Sequence, residues 1–226
     1  MYQPLQGQDK VTSEWNSMSG EWDDVASGYR DSFVKLLWEE TGYTTPESRK
    51  DLIVLDFGCA TGLLAEAIRK DVKRYIGIDV AEQMLDVLED KIRAGEWTNV
   101  ESYCAALAHL DKAKDPDKIK HVLEELKGKV DIIAASSVLS FIPEEDVEAT
   151  MIVLGSLLKP RTGVLCHSDW PKSEGEHPDG FTEEKAAVMY QKGGLEAKQT
   201  QQTTIQMGSR DVPVFVGVAN KKAWTS

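Results

Sequence analysis

Short apolar runs alternate with segments of helical periodicity along most of the chain. The apolar runs are bounded by glycine or polar residues, which is typical of buried strands, whereas the segments between them repeat apolar residues every three or four positions. Single strands separated by helices pair in parallel through right-handed crossovers. The pattern therefore predicts an α/β fold with strands at 52–57, 74–78, 100–104, 130–135 and 163–168 and helices at 63–70, 81–94, 117–127, 144–158 and 182–192.

The C-terminal part of the chain departs from this alternation. Two extended runs, 195–207 and 212–220, are joined only by residues 208–211. So short a connection permits only antiparallel pairing, because a parallel return requires a crossover of about a dozen residues or more. The sheet is therefore predicted to be mostly parallel and to end with an antiparallel strand.

The first part of the chain carries no strand pattern. Residues 1–20 are polar and are predicted to be irregular, and apolar spacings of three and four predict a helix over 21–40, followed by a turn-rich linker. Seven of the 17 aromatic residues lie within the first 43 positions. We therefore expect residues 1–45 to form a helical lid over a site in residues 46–226, within a single domain.

Composition restricts the class of protein. A length of 226 residues suits one well-packed domain, and a net charge of −12 disfavours nucleic acid and anionic membranes as partners. There is no long apolar run and no secretory signal pattern. The three cysteines lack C-x-x-C spacing and indicate a reducing compartment. We expect a cytoplasmic protein.

The most informative motif follows the first predicted strand. This strand ends in Asp56-x-Gly58-x-Ala60-x-Gly62, and the second strand ends in Asp79. Glycines let the backbone approach a nucleoside, and an acid after the second strand can accept both ribose hydroxyls. A dinucleotide fingerprint beginning at Gly58 would require glycines at positions 60 and 63, where Ala60 and Leu63 stand.

The motif resembles the first motif of the class I S-adenosylmethionine-dependent methyltransferases, from which it departs at Ala60. The resemblance implies a Rossmann-like sheet of seven strands with the last strand inserted antiparallel, and S-adenosylmethionine as cofactor. It places the methionine end of the cofactor against the turn, with Asp56 accepting from the ammonium group. The implied cofactor-binding residues of the two motifs are Asp56, Gly58, Cys59, Ala60, Gly62, Asp79, Val80 and Met84.

The chain departs from the family again after the third strand. Relatives carry an acid there that receives the adenine amino group, and Ala106 occupies its place. A backbone amide at Ala106 or Leu107 is left to contact the ring. Ser136, after the fourth strand, matches the loop beside the transferable methyl group. Serines stand where catechol-type relatives hold magnesium, so no metal is predicted.

Three residues are candidates for catalysis. His167 ends the fifth strand and His177 lies in the loop that follows, and a histidine near an acceptor hydroxyl can take its proton near neutral pH. Tyr29, in the N-terminal helix, is expected to face the methyl group by analogy with the family. Alternatively, His167 is a structural strand residue and Tyr29 packs on the sheet.

The resemblance implies in-line transfer of a methyl group to a small-molecule acceptor such as a phenol, a quinone or another metabolite, driven by proximity. Two alternatives stay open: a protein or peptide methyltransferase, and a non-catalytic adaptor that binds S-adenosylmethionine. The departures at Ala60 and Ala106 suggest the adaptor. The sequence leaves the acceptor, the atom methylated and the oligomeric state open.

Overall fold

A computed structural model of the protein describes residues 8–174, 177, 180–207 and 210–223. It contains helices and strands in the predicted alternation. In chain order they are α1 (Gln8–Met18), α2 (Trp22–Thr41), α3 (Pro46–Arg49), β1 (Ile53–Phe57), α4 (Leu63–Ile68), β2 (Arg74–Asp79), α5 (Glu82–Ala94), β3 (Val100–Cys104), α6 (Pro116–Leu126), β4 (Ile132–Ser136), α7 (Glu144–Leu157), β5 (Val164–Asp169), α8 (Glu183–Lys192), β6 (Leu195–Met207) and β7 (Arg210–Lys221).

The strands form one seven-stranded sheet in the order β3-β2-β1-β4-β5-β7-β6. Strands β1 to β5 pair in parallel, and β7 is antiparallel to both of its neighbours, β5 and β6. The predicted fold is confirmed. Because β1 and β4 are adjacent, strand order reverses between them, and ligands of open α/β sheets bind beyond the strand ends at such a point.

Alternation of side chains along β1 separates two hydrophobic layers. Leu55 and Phe57 face the layer formed by α6, α7 and α8, whereas Val54 faces the layer formed by α2, α4 and α5. Asp56, two positions from Val54, therefore points to the α2 side of the sheet. The alternation of side chains that places Val54 in the core therefore also places the Asp56 side chain beneath α2.

The structure differs from the prediction mainly near the N-terminus. Residues 8–18 form helix α1 where irregular chain was predicted; Val11, Trp15 and Met18 recur at helical spacing, although the segment is otherwise polar. The predicted linker contains α3, whose cap Thr45 accepts from the Ser48 N–H. Strand β7 begins at Arg210, inside the predicted connection. No helix of the described ranges is long and apolar enough to cross a membrane.

Candidate functional site

The turn after β1 is folded back onto the end of β2. Gly58 and Gly62 have φ values of 78° and 79°, and Ala60 has a φ of 46°, so all three lie in the left-handed region. The Gly58 N–H donates to the Ile78 carbonyl at 2.8 Å. A Cβ atom at Gly58 would lie 2.6 Å from the Val138 side chain, so glycine permits close packing on the loop after β4.

Asp79 fixes this turn from the end of β2. Its Oδ2 accepts the Ala60 N–H and its Oδ1 accepts the Ala81 N–H, both at 2.8 Å. Burial raises the pKa of the carboxyl group, and the backbone hydrogen bonds oppose that shift. Each carboxylate oxygen has two acceptor positions, so the group can still accept two further hydroxyls on its cavity side.

Asp56 lies deeper, beneath the turn. The residue is 2 % exposed, and the Tyr75 hydroxyl donates to its Oδ2. Burial raises the pKa of the Asp56 carboxyl to about 7; the Tyr75 hydrogen bond opposes this shift, and the nearby charge of Asp79 adds to it. The site therefore contains two buried acids at the ends of adjacent strands.

A concave space, here called the main cavity, opens at these strand ends. Its lining is mostly apolar and comes from both N-terminal helices and from the loops after β1 to β4. The lining residues are Val11, Trp15, Trp22, Phe57, Gly58, Ala60, Ile78, Asp79, Val80, Met84, Ala105, Ser136, Ser137, Val138, Phe141 and Ile142.

Two further spaces adjoin the main cavity. The first, here called the α2 pocket, lies beneath α2 and shares Gly58 and Ser136 with the main cavity. Its lining residues are Trp22, Ala26, Tyr29, Arg30, Phe33, Asp56, Gly58, Cys59, Ala60, Leu63, Leu64 and Ser136. The second space lies beyond Val80 and Ala105, and there Ala106 forms part of the wall.

Helix α1 covers the main cavity with an aromatic side chain. The Trp15 ring meets the Trp22 ring at 5.3 Å and the Phe141 ring at 5.2 Å, in both cases nearly perpendicular. Asn16 Oδ1 accepts the Gln83 N–H at 2.9 Å, so α1 also caps the first turn of α5. These contacts hold α1 over the main cavity, against α2 and the loop after β4.

Tyr29 lies at the α2 pocket. Its hydroxyl is hydrogen-bonded to Ser168 Oγ and accepts from Ser137 Oγ at 3.1 Å. Burial raises the pKa of the Tyr29 phenol, so it stays protonated at neutral pH. The hydroxyl can orient neighbouring groups, but it cannot act as a base there.

His167 lies inside the core and lines neither the main cavity nor the α2 pocket. Its ring is fully buried, with Nδ1 at 2.9 Å from Asp169 Oδ2 and Nε2 at 2.7 Å from the Tyr190 hydroxyl. Because the carboxylate can only accept, Nδ1 carries the proton and the Tyr190 hydroxyl donates to Nε2. The prediction that this ring reaches an acceptor is therefore corrected: His167 is a structural strand residue.

Four other predicted residues lie away from the main cavity. The His177 ring stacks on Trp170 at 4.8 Å and lines neither the main cavity nor the α2 pocket. Leu107 is a core residue, and Gly62 begins α4 against Leu88. The Cys59 sulfur packs towards Gly77, so its side chain borders only the α2 pocket.

The sequence interpretation did not single out several residues of the main cavity, among them Ala105, Phe141 and Ile142. Ala105, rather than Ala106, lines the cavity after β3. Phe141 and Ile142 form its wall after β4, and the pattern gave no signal for the short 3₁₀ turn that positions them. No group of three or more histidine, cysteine or acidic residues able to hold a metal occurs in the described ranges.

Comparisons with known proteins agree with this geometry. A family model described as a methyltransferase domain matches residues 55–165. An uncharacterized methyltransferase of Schizosaccharomyces pombe is 28% identical over 127 residues, covering 56% of this chain and 39% of that protein. A probable 18S rRNA (guanine-N(7))-methyltransferase of Dictyostelium discoideum is 27% identical over 147 residues, covering 57% of this chain and 51% of that protein. The chain thus spans about half the length of these relatives or less.

Among solved structures, magnesium protoporphyrin IX methyltransferase of Synechocystis PCC 6803 with bound S-adenosylmethionine superposes with a TM-score of 0.68. The two sequences are 18% identical, and the superposition covers 98% of this chain and 100% of the Synechocystis protein. This similarity shows a shared fold. The matched domain spans the strands that carry the turn, Asp79 and the loop after β4. Residues 55–165 thus match a methyltransferase domain, and the chain has the fold of a methyltransferase solved with S-adenosylmethionine bound.

Proposed function

We propose that this protein transfers the methyl group of S-adenosylmethionine to a small-molecule acceptor, such as a phenol, a quinone or another metabolite. One observation carries the proposal: Trp15 and Trp22 partly cover the main cavity over the cofactor motifs. A concave, largely apolar space with a few polar groups is typical of small-molecule sites. A polymer chain would require an open groove in place of this cover.

The residues present fit the cofactor. Asp79 has free acceptor positions for the ribose hydroxyls, and the turn exposes backbone at Gly58 and Ala60 to the methionine end. Asp56 borders the α2 pocket, where it would face the ammonium group. Val80 and Met84, with Ala105, would form the apolar bed of the adenine ring, and Ser136 lies between the two spaces.

S-adenosylmethionine supplies a methyl group that is already activated for displacement. The protein therefore contributes chiefly orientation and the exclusion of water. Tyr29 would fix the acceptor side of the α2 pocket through its hydroxyl network. Neither the main cavity nor the α2 pocket is lined by a histidine, which favours acceptors that ionise without a strong base, such as phenols.

A second candidate function is methylation of RNA. The supporting observation is the Dictyostelium discoideum relative, a probable rRNA methyltransferase. The net charge of −12 weighs against it, because RNA binding draws much of its affinity from cationic contacts with phosphates. Methylation of a peptide and binding of S-adenosylmethionine without catalysis are further alternatives. One assay distinguishes these alternatives from methylation of a small molecule or of RNA.

The assay uses S-adenosylmethionine labelled in the methyl group. The protein is incubated with phenols and quinones, with ribosomal RNA, and with basic and acidic peptides, and label transfer is measured with S-adenosylhomocysteine formation. We expect label in small molecules only, with loss in Asp79→Ala and retention in Asp86→Ala, whose residue is exposed on α5. Label confined to RNA or peptide, or cofactor binding without turnover, would contradict the proposal.

A further inference from the structure

Asp56 is a buried acid without a basic partner. It is 2 % exposed, and its only side-chain hydrogen bond in the described chain comes from the Tyr75 hydroxyl. None of the ion pairs between described residues includes it. A buried carboxylate that lacks a cation favours its neutral, protonated form.

Of the groups around Asp56, the charge of Asp79 reinforces this preference, whereas the Tyr75 hydrogen bond opposes it. Strand β2 contributes Tyr75 and a second acid, Asp79, and the turn contributes the Cys59 thiol. Helix α2 contributes two further titratable groups of the α2 pocket, Tyr29 and Arg30. The Arg30 guanidinium is paired with Asp31, its Nη2 at 2.7 Å from Oδ1.

One side of the Asp56 carboxyl group borders the α2 pocket, so a ligand bound in this pocket can contact the carboxyl group. A positive charge in the pocket would be the cation that the free protein lacks at this point. An opposite charge within about 4–6 Å stabilises the ionised carboxylate. The buried acid is thus placed to change its protonation when a cationic group enters.

We propose that Asp56 is protonated in the free protein near neutral pH and releases its proton to solvent when the ammonium group of the bound cofactor comes to lie beside it. The carboxylic O–H bond breaks, the proton passes to buffer, and an ammonium–carboxylate pair forms. The inference rests on the cofactor orientation in the proposed function, and it is independent of the methyl acceptor.

This coupling gives cofactor affinity a defined pH dependence. The pKa of Asp56 is raised to about 7, so binding should release roughly 0.9 proton at pH 6 and about half a proton at pH 7. Affinity should fall up to about tenfold per pH unit below 7. Above roughly pH 7.7–8.0 an α-amino group is itself neutral, so release should turn into uptake there.

Titration calorimetry tests the inference without any methyl acceptor. S-adenosylmethionine and S-adenosylhomocysteine are titrated into the full chain at pH 6, 7 and 8, in buffers that differ in ionisation enthalpy. The dependence of the heat on that enthalpy gives the number of protons released. 5′-Methylthioadenosine is the matched ligand control: it lacks the amino-acid moiety and should bind without releasing a proton at pH 6.

Two variants identify the group that titrates. Asp56→Asn should abolish the release at pH 6 and leave only the uptake due to the ligand above pH 8. Tyr75→Phe removes the hydrogen bond that favours the carboxylate, so it should move the release to higher pH, and it tests the inference even if Asp56→Asn does not fold. The inference is overturned if wild type releases no proton at pH 6, if Asp56→Asn releases as much, or if 5′-methylthioadenosine does so.

Failure of the proposed proton release can be distinguished from failure of the proposed function. Proton release without turnover on any small molecule would refute the small-molecule function and leave the coupling intact. Turnover accompanied by proton-neutral binding at pH 6 would refute the coupling alone. Absence of cofactor binding at every pH would overturn both.

Discussion

Among single residues, Asp79 combines a structural task with the ligand-binding task that we propose for it. Its carboxylate holds the turn at Ala60 and the start of α5 at Ala81, while its cavity side is open to a ligand. The acid is therefore expected to matter for the free protein as well as for the complex. A helix-capping interpretation and a ribose-binding interpretation of this residue are compatible in one geometry.

Asp79→Ala should accordingly have two measurable effects. A buried N–H group at Ala81 and a partly buried one at Ala60 lose their acceptor, which should lower the free energy of unfolding by roughly 1–3 kcal/mol in the absence of cofactor. Binding of S-adenosylmethionine should weaken by roughly 1.5–3 kcal/mol, the range for hydrogen bonds to a charged group. Denaturant unfolding and calorimetry measure the two effects, with Asp86→Ala as control; unchanged affinity would refute the ribose-binding role.

Asp56 predicts a pH dependence of stability. Its folded pKa is raised to about 7, above that of an unfolded aspartate, so the folded state holds more protons and this group costs stability as pH rises from about 4 to 7. The free energy of unfolding of Asp56→Asn minus that of wild type should therefore increase between pH 5 and pH 8. The expected increase is on the order of 2–4 kcal/mol. Urea unfolding at both pH values checks this; a pH-independent difference would contradict it.

At the scale of elements, the end of β5 holds the loop after β4. Asp169 Oδ1 accepts from Ser140 N at 3.1 Å and from Ser140 Oγ at 2.9 Å, and Oδ2 accepts from His167. Asp169 is 1 % exposed, so water does not substitute for these bonds. The acid thereby sets the position of Phe141, which lines the main cavity.

Asp169→Ala should destabilise the protein by roughly 2–3 kcal/mol, because it leaves buried donors without an acceptor. Ser140→Ala removes one hydroxyl and should cost only about 1 kcal/mol. In a double-mutant cycle followed by denaturant unfolding, the two changes should be non-additive by at least about 0.5 kcal/mol. Additive effects would show that the loop is held by other contacts.

The elements also show what sequence patterns can predict. The turn at Gly58 and the acid Asp79 were found because their geometry depends on residues close in the chain. His167 was misassigned because its surroundings come from Phe181, Tyr190 and Phe215, which the sequence places far along the chain. Distant packing of this kind leaves no local pattern.

At the scale of the whole molecule, α1 and α2 lie over the strand ends of the sheet and line the main cavity from above. The parallel pairing of the first five strands and the antiparallel pairing at the end of the chain followed from alternation and connection length, whereas the place of the last strand in the sheet was implied by the family resemblance. The cover was harder to predict, since α1 is largely polar and packs through a few side chains. Its contact with the site depends on Trp15, which meets residues of α2 and of the loop after β4.

Trp15→Ala should therefore affect turnover more than cofactor binding. The turn and Asp79 stay in place, whereas water enters the main cavity beside the acceptor. We expect kcat/KM for the acceptor to fall at least about tenfold, equivalent to roughly 1.4 kcal/mol, with a smaller change in cofactor affinity. Steady-state kinetics check this against Met18→Ala, an exposed residue of the same helix; full activity would show that α1 is not a functional cover.

Ala60 has a consequence for engineering this protein. It holds a left-handed backbone, with a φ of 46°, at a position where a side chain costs roughly 1–2 kcal/mol. Part of that strain is offset because alanine loses less backbone freedom than glycine on folding. Ala60→Gly should thus raise the melting temperature by about 2 °C, at the lower end of the 2–4 °C expected per kcal/mol. The turn proposed to bind the cofactor would then be a place where a single substitution raises thermostability.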